Sequence, residues 1–104
     1  MSDAVRLDPS LAAILPRYLD ICRADCAALL TAARDHDLES ARLLGHRLKG
    51  SGSSYGLPEI SRLGGEAEAA SLAGDRARVQ ALSGELSRYL ESLDVICGEE
   101  PCKS

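Results

Sequence analysis

The sequence predicts an all-α protein: an up-and-down antiparallel four-helix bundle preceded by a short extra N-terminal helix. Three observations lead there. Apolar residues recur at spacings of three and four through most of the chain, no run shows the strict alternation of a half-buried strand, and the periodic segments are joined by short polar or glycine-containing connections. Short connections favour antiparallel neighbours, and four amphipathic helices bury their stripes most simply against one another.

The elements follow in chain order. Asp8 and Pro9 read as an N-cap and first helical position of the short leading helix, and Pro16 separates that helix from the next segment. Leu15, Leu19, Cys22, Cys26, Leu29 and Ala33 then draw one continuous stripe. The polar stretch from Arg34 to Asp37 interrupts it, and Asp35 or Asp37 is placed to cap a second long helix with the stripe Ala41, Leu44, Leu48, Ser51 and Tyr55. Gly56, Leu57 and Pro58 read as a turn. A third stripe runs through Ile60, Leu63, Ala67 and Ala70 and closes at Ala73, Gly74 and Asp75. The fourth runs through Val79, Leu82, Leu86, Leu90, Leu93 and Ile96 to Gly98. The domain so defined spans residues 7–97, with flexible tails at 1–6 and 98–104.

Composition narrows the function. A chain of 104 residues with 45% apolar and 3% aromatic content is one domain whose core is Leu, Ala, Ile and Val. So short a chain has little stability to spend on a deep active site, so chemistry is expected at the surface. A net charge of −4 works against nucleic acid, which requires a basic stripe. No run approaches the ~20 apolar residues of a membrane helix, and the first residues carry neither a basic leader nor an apolar run, so a cytoplasmic location is expected. Cys22 and Cys26 lie on the core stripe, and Cys97 and Cys102 near the end of the chain; together they read as reduced thiols. No metal site is expected, because a di-iron bundle needs Glu-x-x-His pairs and no glutamate stands three residues before His36 or His46.

The chemistry-bearing stretch is HRLKGSGSSYG, residues 46–56. At about 100° per residue, His46 lies roughly 200° from both Leu44 and Leu48, so it points away from the core. Arg42, Lys49, Gly50 and Ser53 share its side of the helix. A mid-helix glycine costs about 1 kcal/mol against alanine, and Gly45, Gly50 and Gly52 all incur that cost. We read them as space cleared around an exposed imidazole for another molecule. Histidine, with an ordinary pKa of about 6.5, offers a nucleophilic ring nitrogen at neutral pH, and an ammonium one turn away at Lys49 stabilises added phosphoryl charge. His36 has no such company and reads as surface. Arg42 and Arg47 are either solvated charge or a positive docking rim that steers an acidic partner. Gly64 and Gly65 serve either close helix packing or partner access.

His46, Leu48, Lys49, Gly50, Ser51 and Gly56 together resemble the motif of histidine-containing phosphotransfer (HPt) domains. Leu63, Glu66, Ala70 and the Gly74–Asp75 pair downstream, and Asp8, Pro9 and Leu11 upstream, extend the likeness over about residues 7–97. The resemblance implies a phosphorelay intermediate of two-component signal transduction. In it His46 becomes phosphohistidine, exchanging its phosphoryl group with the aspartate of a response-regulator receiver domain. It implies receiver domains and a hybrid histidine kinase as partners, a monomer, and a phosphocarrier that is not an enzyme. No cofactor of its own is implied, Mg2+ being supplied by the partner receiver. Lys49 takes the phosphate-stabilising role, and Arg42, Leu43, Arg47, Gly50, Ser53 and Leu57 form the docking face. Gly45, directly before the histidine, departs from the usual pattern. The rival reading is a binding-only adaptor that regulates a receiver or kinase without carrying phosphate.

Overall fold

The computed structural model describes residues 15–98, with side chains as far as Leu93. Four helices occupy this range: α1 (Leu15–Arg34), α2 (Leu38–Ser54), α3 (Pro58–Leu72) and α4 (Arg76–Gly98). There is no strand among the described residues. Each helix packs on its neighbours in sequence, and α1 packs on α4, so the four close a ring around one core. No described helix is long and apolar enough to cross a membrane. The expected short leading helix, residues 1–6 and 99–104 of the expected tails, and the side chains of Ile96 and Cys97 lie outside what is described, while Gly98, expected as the first tail residue, ends α4 and Pro16 stands in the first turn of α1, where a proline costs no hydrogen bond.

All six stripe residues of α1 are buried, as are Ile60, Leu63, Ala67 and Ala70 of α3 and Val79, Leu82, Leu86, Leu90 and Leu93 of α4. The α2 stripe is displaced. Ala41 and Leu48 are buried, but Gly45 and Gly52 complete the buried face while Leu44, Ser51 and Tyr55 are only half-buried. Tyr55 stacks on Tyr18 with ring centroids 3.9 Å apart, and the Tyr18 hydroxyl lies 2.7 Å from Ser51 Oγ, which ties α1 to the end of α2.

The three connections are built alike. His36, Gly56 and Gly74 each take a positive φ (60°, 74° and 75°). At each, two backbone N–H groups turn back onto the preceding helix: His36 and Asp37 donate to Ala33 and Ala32, Gly56 and Leu57 to Ser53 and Gly52, and Gly74 and Asp75 to Ser71 and Ala70. This is the Schellman closure, and the residue after the left-handed one then starts the next helix. Asp37 does so by accepting from Ser40 N at 3.1 Å, and Asp75 by accepting from Arg78 N at 3.0 Å. Of the two aspartates expected to compete for the α2 cap, Asp37 holds it.

Burial also sets a pH dependence. Desolvation raises the Tyr18, Tyr89, Cys22 and Cys26 groups above their ordinary values of 10 for tyrosine and 9 for cysteine. With the folded pKa above the unfolded one, the unfolded chain loses its protons first as pH rises. The stability is thus complete below pH 9 and declines through 9 to 10 and beyond. Urea unfolding at pH 10.5 is expected to show a lower midpoint than at pH 7.5, with a smaller difference for Tyr18→Phe.

Candidate functional site

The site is organised by the close crossing of α2 and α3. A methyl group built on Gly45 would lie 2.7 Å from Glu68 N and 2.8 Å from Gly64 O; one on Gly64 would lie 2.5 Å from Lys49 N. One on Gly52 would lie 2.9 Å from Ser61 Cα. These glycines therefore let two backbones touch, and Gly45 and Gly52 are not the cleared space around an imidazole that their sequence positions suggested. Gly50 alone fits that reading, for nothing stands within 4 Å of its missing Cβ. The crossing is fastened by Ser61, whose hydroxyl donates to the Lys49 carbonyl at 2.6 Å and accepts from Ser53 Oγ at 3.1 Å.

His46 follows Gly45 by one residue, so the close approach that buries the glycine turns the imidazole outward at the lip of the crossing. Its side chain is 68% exposed. Nδ1 lies 3.1 Å from Oε2 of Glu68 on α3, and the other oxygen of that carboxylate lies 3.9 Å from Lys49 Nζ. An ionised carboxylate only accepts hydrogen bonds, so this contact puts the ring proton on Nδ1 and leaves the lone pair of the neutral ring on Nε2. Glu68 thus orients the ring and lies between it and the Lys49 ammonium. Sequence reasoning missed Glu68. The available signal was its place one turn after Gly64, on the face of α3 that small residues press against α2.

The other expected site residues divide. Lys49 reaches the histidine's neighbourhood, Leu43 is 53% exposed, and Ser53 is at the surface. Arg42 is held one turn back by Glu39, with Nη2 donating to Oε2 at 2.6 Å. Arg47 donates through Nη2 and Nε to the two oxygens of Asp25 at 2.7 and 3.3 Å. Asp25 is buried on α1, so this fork compensates a desolvated carboxylate and pins α1 to α2. The rim expected as free positive charge is therefore made of ion pairs, with a carboxylate at its centre. Leu57 is not a docking residue. It is fully buried, because its N–H closes the Schellman turn onto Gly52 and its side chain packs under that turn. Among the described residues no group of three or more His, Cys, Asp or Glu side chains is gathered as a metal ion would require. Cys22 and Cys26 are buried free thiols, and Cys26 Sγ donates to the Ser83 carbonyl at 3.1 Å.

A helical bundle that presents one oriented, solvent-facing imidazole with an ammonium beside it has the form of a group carrier. The family model for the Hpt domain matches residues 13–94, and the chain belongs to that family. Domains of this family serve phosphotransfer in two-component phosphorelays, where they interact with receiver domains and histidine kinases and act as carrier modules. No curated protein and no solved structure matches the chain.

Proposed function

We propose that His46 is the phosphoacceptor of a phosphorelay, taking a phosphoryl group from the aspartate of one receiver domain and passing it to another. The observation that carries this reading is the Nδ1 contact with Glu68, which leaves Nε2 as the nucleophile on an exposed ring. The Nε2 lone pair attacks phosphorus, the bond from phosphorus to the aspartyl oxygen breaks, and the carboxylate leaves. The Nδ1 proton stays on the ring, where Glu68 offsets the positive charge that develops. Lys49 stabilises the phosphoryl oxygens. The reverse sequence returns the group. The magnesium used in such transfers belongs, on this reading, to the receiver's own acidic cleft.

The carrier is read as an up-and-down antiparallel bundle. This is supported by the register of its pairs: Gly45 faces Gly64 and Glu68 while Gly52 faces Ser61, and Tyr18 meets Ser51 while Asp25 meets Arg47. Docking is assigned to the outer side of α2, with Gly50 as its open floor and Leu43 at the lip of a shallow groove that also includes Ala28, Thr31 and Leu44. A modest interface on a cytoplasmic monomer suits a relay, since each transfer must be followed by release.

Docking and clearance are tested together by Gly50→Arg. An arginine there points into open space, so the melting temperature is expected near wild type, while transfer from a phosphorylated receiver slows at least about tenfold because the partner is held off the ring. Wild-type transfer by this variant contradicts the clearance role. A wild-type protein that binds receivers but never takes label from them is the adaptor.

A further inference from the structure

Gly65 stands on α3 beside the crossing, and it does not meet backbone as Gly45, Gly52 and Gly64 do. A methyl group built on it would lie 3.5 Å from Lys49 Cδ, 3.7 Å from Cγ and 3.9 Å from Cε, with no other atom nearer. The aliphatic stem of Lys49 therefore runs across the bare Cα of Gly65. It leaves α2, crosses α3 at this point and brings Nζ to 3.9 Å from Glu68 Oε1. A bulky side chain at 65 would occupy the space in which the Lys49 stem lies. A half-buried glycine in the middle of a helix has an intrinsic cost, and packing of backbones does not account for it here.

We infer that Gly65 is a positioning residue for phosphoryl transfer: it forms the floor on which the Lys49 stem lies, so that the ammonium is delivered to the phosphoryl site on His46. This rests on His46 being the phosphoacceptor. Gly65 touches neither the ring nor the phosphoryl group and acts only through Lys49.

The contacts separate small from large substitutions. Alanine at Gly65 adds a methyl at ordinary van der Waals distance and is expected to leave transfer within about twofold of wild type. Gly65→Leu lifts the stem away and is expected to lower the rate of transfer at saturating phosphorylated receiver about tenfold, with KM unchanged and the melting temperature not reduced. Adding Gly65→Leu to Lys49→Ala is expected to change nothing further, because the side chain it displaces is already gone.

Wild-type transfer by Gly65→Leu overturns the inference. So does a loss that multiplies with that of Lys49→Ala, or one carried by KM, since either would mean that the leucine blocks the partner. NMR contacts between the Lys49 methylene protons and the Gly65 Hα protons read the floor directly, without any phosphodonor. Their presence supports it even if the wild type takes no label, an outcome that would count against His46 alone, and their absence rejects it.

Discussion

Alanine at Gly64 is expected to lower the free energy of unfolding by about 2–3 kcal/mol, while alanine at Gly50, on the facing helix, raises it by about 0.5–1 kcal/mol. The same methyl group meets opposite surroundings. At Gly64 it would press on Lys49 N at 2.5 Å, Leu48 Cβ at 2.7 Å and Gly45 O at 2.8 Å. Two of those three atoms are backbone and cannot rotate aside, so α2 and α3 must move apart and forfeit dispersion contacts along the whole crossing. At Gly50 the methyl meets nothing within 4 Å and only relieves the conformational cost of a glycine in a helix. For a domain of this size a change of 2–3 kcal/mol is a large share of the total. Urea midpoints of the two variants against wild type check the pair. Equal shifts would mean that the crossing is looser than described.

Removal of the Glu68 carboxylate is the second large effect, and it falls on rate. Glu68→Ala is expected to slow phosphoryl acceptance about 10- to 100-fold, with little change in stability. The variant frees Nδ1, so the ring tautomers are expected to mix and the phosphoryl group to distribute between the two nitrogens, whereas in the wild type it is expected on Nε2 alone. Glu68→Gln retains an oxygen that accepts from Nδ1–H but not the charge, and is expected to fall between the two. Phosphorus NMR of the labelled proteins distinguishes the nitrogen that carries the group. A Glu68→Ala protein labelled at wild-type rate, on Nε2 alone, would show that the carboxylate orients nothing.

Much of this was legible in the sequence because the signals were periodic or compositional. The stripe residues of α1 and α3, and those of α4 as far as Leu93, are buried as expected, since large aliphatic side chains at spacings of three and four draw the core-facing side of an amphipathic helix. The exposure of His46 followed from the angle between it and Leu48. What failed was the meaning of glycine. A missing side chain has the same appearance in a sequence whether open space, a neighbouring helix or a lysine stem lies where it would stand, and Gly50, Gly45 and Gly65 are one of each. Leu57 failed for a related reason: a leucine in a turn looks exposed until the turn's hydrogen bonds fold its side chain beneath it. Glu68 was invisible because its role depends on which residues of α3 face residue 46, and that register is tertiary. The pairing of Arg47 with Asp25, 22 residues apart on different helices, was hidden likewise.

The most direct test of the central claim is to mix the purified protein with a labelled phosphorylated receiver domain and compare wild type with His46→Ala. The expected result is acid-labile, alkali-stable label on the wild type and none on the variant, with both proteins folded and both binding the receiver. Label that persists in His46→Ala, or a wild type that binds a panel of phosphorylated receivers and takes label from none, would contradict it.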